Sequence, residues 1–305
     1  MSGQQLRHRY NREFFGMSKY SRLIAWGMVG LYLVQILACI FAGHYLLSLQ
    51  LSIGTILLMV MTSLFIGTRL RGLNNIVHEC SHSTFAENRD DNVAIGRFCA
   101  SLLVKCFKQY KEDHLSHHSH LGDYTHDREM GPIERFGLHE KLSPKTVLRL
   151  IATPMLGHHL KMYSGINLSN GDGRFFFGLK TGLLISIVGF AVFAPYTALF
   201  FAVLPLFYIF PTVNFWTDCL DHAGIMGSED GLEASRNILA PLPLRLLFFP
   251  RNDSFHLVHH LFPQVPARHL KSAHLTLCEE SSYSRNANAV RDSQGTDTRL
   301  ASELS

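Results

Sequence analysis

The sequence predicts an all-α integral membrane protein, with four transmembrane helices beneath a cytoplasmic helical cap that carries clustered histidines. Three observations predict this. Four apolar stretches are each long enough to cross a bilayer, the basic residues avoid the two short connections between them, and most of the eighteen histidines sit in tight groups outside the stretches. A hydrocarbon layer about 30 Å thick needs roughly 20 helical residues at about 1.5 Å each. Residues 22–46, 50–70, 175–194 and 197–217 supply four such runs. An apolar share of 47% agrees with this placement. Four buried helices of a soluble protein are the competing reading, but core helices rarely run this long without charge.

Residues 1–21 are mostly polar and read as a cytoplasmic N-terminal segment. The run at 22–46 is too long for a signal-peptide core and has no small-x-small cleavage pattern at its end, so it reads as an anchor. Arg7, Arg9, Arg12, Lys19 and Arg22 precede or open it, and 69–174 is rich in Lys and Arg, whereas 47–49 and 195–196 have none. The positive-inside bias then puts both termini and the long middle segment in the cytoplasm. Within that segment, Ile95, Phe98, Leu102, Leu103, Cys106 and Tyr110 recur at helical spacing, which predicts one amphipathic helix over 95–114 lying along the headgroups. Pro205 and Pro211 are expected to kink the fourth span, and Tyr10 and Trp216 to anchor at the interface. The integral-membrane domain is set at 22–278, and 279–305 is expected to be a disordered polar tail.

A net charge of +4, with no basic run interleaved with aromatics, excludes a nucleic-acid partner. Cys39, Cys80, Cys99, Cys106, Cys219 and Cys278 form no C-x-x-C pair and read as reduced, small apolar residues.

The histidine groups carry the chemistry. HECSH places His78 and His82 one helical turn apart; HLSHH gives His114, His117 and His118; HLVHH gives His256, His259 and His260. In a helix, positions i, i+3 and i+4 share a face, so each HxxHH is expected to aim three imidazoles at one point. Eight imidazoles exceed one tetrahedral ion and imply two metals. Continuing the second span by two turns carries His78 and His82 about 12 to 18 Å past the lipid edge. The fourth, extended likewise, brings Asp218 and His222 onto one face. Glu79, Asp113, Asp221 and Asp253 lie within a turn of the boxes and are candidates to hold the outer N–H of the ligands. His120, His126, His158 and His159 read as surface residues, with at most one of the adjacent pair 158–159 able to face a shared metal. His8, His44, His139, His269 and His274 read as structural or surface residues.

These boxes, their order and their position beyond the spans resemble the membrane-bound fatty acid desaturase and hydroxylase superfamily over roughly residues 20–270. LGDYTHD after the second box and LFPQVP after the third are similar as well. The resemblance implies a non-haem di-iron centre that activates O2 for C–H oxidation, with His222 as a ninth ligand and Asp218 contacting the metal through water or directly. The first box is HxxxH, unlike the HxxxxH of acyl-CoA members; Asp218 replaces an asparagine of that group; and the third box opens with His256, unlike the front-end class. Without an HPGG haem motif, electrons are expected from a separate donor, a ferredoxin or a cytochrome b5 type with its reductase. The expected substrate is a fatty acyl chain on a lipid or acyl carrier, alternatively a smaller amphiphile or an amino-acid-derived metabolite, and desaturation and hydroxylation both remain open. HECSH also reads literally as H-E-x-x-H, the zinc-protease motif with Glu79 as general base, but this leaves both HxxHH boxes unexplained. A metal transporter would place its ligands inside the spans.

Overall fold

The computed structural model describes residues 1–226 and 230–287. Among them every regular element is helical, apart from one isolated bridge between Tyr20 and Ala86. In chain order the helices are α1 Gly3–Phe14, α2 Arg22–Ser48, α3 Ile53–Ser81, α4 Arg89–Leu102, α5 Phe107–His120, α6 Pro144–Met155, α7 Leu160–Tyr163, α8 Arg174–Phe193, α9 Pro195–His222, α10 Leu242–Phe248, α11 His256–Leu261, α12 Leu270–Leu277 and α13 Ser281–Ala287.

Four of these helices, α2, α3, α8 and α9, have the length and hydropathy of membrane spans. Their outward faces make the case physically. Leu23, Phe41, Ile53, Val192 and Phe193 are each at least 73% exposed, and water does not tolerate an apolar surface this extensive on a monomer. The protein is therefore a multi-pass membrane protein, as expected. Lys180 is the buried residue of α8, and its ammonium donates to the carbonyls of Asn167 and Ser169, both at 2.8 Å. A cation in an apolar helix needs such oxygen partners.

The spans pack closely where side chains are absent. A β-carbon on Gly72 would lie 2.1 Å from the Tyr32 ring, and one on Gly67 would lie 2.3 Å from the Ile209 side chain, so side chains of α2 and α9 rest directly on the α3 backbone. Pro205 and Pro211 do not break α9. The helix widens into π turns at Leu199–Val203 and Pro205–Ile209 and then resumes as a regular helix. Wider turns relieve the clash of a proline ring with the preceding turn.

Several expectations are corrected outside the spans. The single helix over 95–114 is two helices, because Val104 adopts a left-handed φ of 56° between α4 and α5. The apolar face of α4 does not meet headgroups either: Ile95, Cys99 and Leu103 are buried in the same cluster as Leu73, Ile76 and Val77 of α3. The N-terminal segment is folded against the region of the third histidine box. Leu6, Tyr10 and Phe14, spaced four apart, are buried with Leu257, Leu261 and Phe262. Tyr10 is thus no interface anchor, and its hydroxyl donates to Glu280 at 2.7 Å. The ordered chain also continues past 278, since Tyr283 of α13 is 0% exposed and its hydroxyl accepts from Asn237 at 2.8 Å. The rest of the expected tail, 288–305, lies outside the described residues.

Candidate metal centre

Two helix-locating devices aim the second histidine box. Asp172 accepts hydrogen bonds from the backbone N–H groups of Phe107 and Lys108, at 2.7 and 3.0 Å, and so caps the first turn of α5 from a distant loop. A carboxylate there satisfies otherwise orphaned donors and complements the positive end of the helix. After α5 the chain reverses, and Asp127 Oδ1 accepts from the N–H groups of Glu129 and Met130, fixing that turn beside the helix.

The third box is fixed by two buried ion pairs. Arg71 of α3 bonds Asp253 and donates to Asn214 Oδ1 at 2.7 Å and to the Phe248 carbonyl at 2.9 Å. Glu79, also on α3, is gripped through both oxygens by Arg251. Arg251 and Asn252 have φ values of 66° and 61°, left-handed backbone that non-glycine residues adopt only when their surroundings hold them there. The arginine grip and a hydrogen bond from Asn252 Nδ2 to the Ala267 carbonyl at 3.0 Å do so.

The result is a convergence of nine imidazoles. His78, His82, His114, His118 and His259 form one group, and His117, His222, His256 and His260 a second; within each, the candidate ligand atoms all lie within 4.8 Å of one another. The boxes are shared between the groups, which corrects the expectation that each HxxHH serves one point. Residues i and i+4 go to one group and i+3 to the other: His114 and His118 against His117, and His256 and His260 against His259. Side chains i+3 and i+4 diverge by about 100° around a helix, so a box between two metals divides in this way.

The separations fit metal ligation. Neighbouring Nε2 atoms approach to 2.8 Å for His78 and His259, 2.9 Å for His82 and His114, 3.1 Å for His114 and His118, and 3.0 Å for His118 and His259. In the second group His222–His256 and His256–His260 are each 3.0 Å. Nitrogens about 2.1 Å from a common ion stand about 3.0 Å apart at a right angle and about 3.4 Å apart in a tetrahedron. Five candidate donors exceed the four of a tetrahedral site. Burial and the neighbouring imidazoles hold His114, His118, His256, His259 and His260 well below the usual histidine pKa, so they are neutral at pH 7 and offer a lone pair.

The groups holding the outer ring nitrogens differ in part from expectation. Glu129 Oε2 and Asp127 Oδ2 lie 2.7 Å from Nδ1 of His114 and His117, and the Ala234 carbonyl lies 3.1 Å from that of His222. Asp127 and Glu129 went unassigned in the sequence, although carboxylates just after a Gly-Asp turn following HxxHH are placed to fold back on it. Asp221 and Asp253 lie 3.8 and 4.0 Å from Nδ1 of His256 and His78. Asp221 Oδ1 is buried with no hydrogen-bond partner among the described residues. Glu79 is committed to Arg251 and holds no histidine, which also removes it as a general base. Asp113 shares a hydrogen bond with Gln109 instead of reaching a ligand. Asp218 belongs to neither histidine group; its Oδ2 accepts from the Tyr163 hydroxyl at 2.8 Å. His120, His126 and His158 are exposed as expected. His159 is fully buried, with Nε2 3.0 Å from the Thr212 hydroxyl.

A cavity of about 330 Å³ opens onto both groups, reaching His78 and His114 of the first and His117, His222 and His256 of the second. Lys105, Asp218 and Tyr163 also line it. Burial pushes the Lys105 ammonium down to about 8, with Glu129 and Asp218 opposing, so it remains charged at pH 7.

The fatty acid desaturase family profile matches residues 54–287. The dihydrorhizobitoxine desaturase of Bradyrhizobium elkanii is 23% identical over 73% of this chain and 69% of its own length. A chloroplastic omega-3 fatty acid desaturase of Glycine max is 26% identical over 68% of this chain and 51% of its own, so this chain spans about half of that relative. An oleoyl-12-hydroxylase of Ricinus communis is 33% identical over 35% of this chain and 28% of its own. With the profile covering most of the sequence and all nine histidines inside the match, the chain belongs to the fatty acid desaturase family of oxidoreductases.

Proposed function

We propose that the protein is an O2-dependent di-iron enzyme that oxidises an unactivated C–H bond. The observation that carries this reading is the division of nine imidazoles, drawn from α3 and His82 that caps its end, and from α5, α9 and α11, into two adjacent groups that share both HxxHH boxes. His78, His82, His114, His118 and His259 would hold one iron, and His117, His222, His256 and His260 the other. Imidazole suits iron and leaves the ions open to dioxygen. When bound, the metal pair supplies the reductive activation of O2 needed to break a strong C–H bond. In desaturation, the two hydrogens of the substrate, together with two electrons and two protons from a separate donor, reduce O2 to two waters; in hydroxylation one oxygen atom enters the substrate instead.

The chain's own residues do the rest. Asp127 and Glu129 accept the Nδ1–H of His117 and His114, keeping Nε2 of each aimed inward. The Arg71–Asp253 and Arg251–Glu79 pairs hold α11 against α3, so ligands distant in sequence meet. The cavity, which residues of both histidine groups line, would hold the substrate against them. Relatives named for desaturation and for hydroxylation both match, which supports the shared oxidation and leaves the outcome to substrate placement. The basic residues of 1–22 and 69–174 support a cytoplasmic metal site, with a ferredoxin or cytochrome b5 type donor docking from that side.

The test is oxygen consumption by protein reconstituted with ferrous iron and a reductant, combined with mass spectrometry of lipids and metabolites from cells with and without the gene. The reading requires a product that has lost two hydrogens or gained one oxygen, absent for His118→Ala and for His260→Ala. An active Glu79-dependent hydrolase indifferent to both substitutions would contradict it.

A further inference from the structure

The cavity beside the histidines is walled by charge. A pocket for a hydrocarbon chain is lined mainly by apolar side chains, because each buried methylene gains about 0.8 kcal/mol only against such walls. Here Lys105 enters from the turn between α4 and α5, and Asp218 from the last turns of α9. Among the described residues the Lys105 ammonium has one hydrogen-bond acceptor, Asn74 Oδ1 at 3.1 Å, beside the Phe210 ring at 5.0 Å, and the Asp218 carboxylate has one donor, the Tyr163 hydroxyl. Among the described residues neither joins an ion pair within 4.0 Å; Glu129 and Asp218 act on Lys105 across the cavity, and Arg71 acts on Asp218. Two opposite charges that face one half-buried space without meeting are costly to keep. A ligand bearing both charges would complete them.

The routes to the cavity agree. Gln109, Arg128 and Lys161 line the cavity and are exposed, so polar and charged side chains stand where it meets the surface. A volume of about 330 Å³ lies at the small end of ligand pockets, which run from about 300 to 1,000 Å³.

We infer that the substrate of this site is a small water-soluble zwitterion of the α-amino-acid class, its carboxylate held by Lys105 and Asn74, its ammonium by Asp218, and its aliphatic side chain turned to the histidine wall. This rests on the di-iron reading and departs from the acyl chain expected from sequence. Lys105 and Asp218 are then binding residues that set specificity, and Asp218 is no metal ligand.

The experiment is calorimetric titration of iron-loaded protein in nanodiscs at pH 7. The probes are the protein amino acids, L-norleucine, hexanoate, n-pentylamine and oleate, and iron content is measured on every sample. At least one amino acid binds saturably at millimolar concentration or below, hexanoate and pentylamine bind about tenfold or more weakly, and oleate does not compete. Lys105→Met and Asp218→Asn each weaken the amino acid about tenfold or more with iron content unchanged, and Lys105→Arg retains more affinity than Lys105→Met. Iron present with no amino acid bound, oleate displacing the amino acid, or both charge variants binding like the parent would overturn the inference. Iron absent from the parent protein would overturn the di-iron reading itself, so the two failures are distinguishable.

Discussion

Replacing Glu79 by Gln separates the two readings of HECSH by what is lost first. In a zinc protease the substitution removes a general base and leaves the fold alone. Here both Glu79 oxygens are held by Arg251, the two side chains are 6% and 4% exposed, and the pair ties the loop before α11 to α3. Glu79→Gln leaves the Arg251 guanidinium buried without its counter-charge, a loss of about 3–5 kcal/mol. At about 2 °C per kcal/mol for a chain of this size, the melting temperature should fall by on the order of 5–10 °C. Because Arg251 also holds its own left-handed backbone and that of Asn252 in place, α11 should loosen and iron be retained less well. The measurement is thermal unfolding in detergent with iron content before and after, on Glu79→Gln, Arg251→Met and the double variant. Removing both charges avoids the orphaned ion, so the double variant should be more stable than the sum of the single losses predicts. Glu79→Gln that melts like the parent and keeps its iron but loses all activity would refute this reasoning.

The other predictions concern the ligands and the residues that aim them. His260→Ala leaves three imidazoles in the second group and should release one metal per chain while helical content by circular dichroism is unchanged; His118→Ala leaves four in the first group and should lower bound iron to a smaller extent. Asp127→Ala frees Nδ1 of His117 and the turn at Glu129 and Met130, and competition against a chelator should show iron affinity falling about 10–100-fold. Asp172→Ala uncaps α5 and should cost about 1 kcal/mol of thermal stability, with iron content kept.

The parts legible in sequence are those set by local periodicity. The length of four apolar runs fixes the spans, and the spacing of HxxxH and HxxHH on helices fixes which residues carry imidazoles toward the site. Residues brought in by chain reversals were not legible in the same way. Asp127 and Glu129 reach the histidines because a turn folds back along α5, while Arg251 acts through a left-handed backbone that no glycine announces. The break at Val104 is hidden for the same reason, since LLVKC contains no glycine or proline and the helical pattern runs straight through it. In the N-terminal segment, the spacing of Leu6, Tyr10 and Phe14 was a legible amphipathic signal masked by polar composition. The sharing of each HxxHH between two points follows from the same helical geometry that suggested one point. It emerges once a second HxxHH faces the first.

The most direct test of two irons held by nine imidazoles is metal analysis with X-ray absorption on purified, iron-reconstituted protein. The account predicts two irons per chain, each surrounded by nitrogen and oxygen donors with several imidazoles, and loss of the pair's mutual scattering in His260→Ala. A single zinc bound by His78 and His82, retained when His117, His222, His256 and His260 are all replaced by alanine, would contradict it.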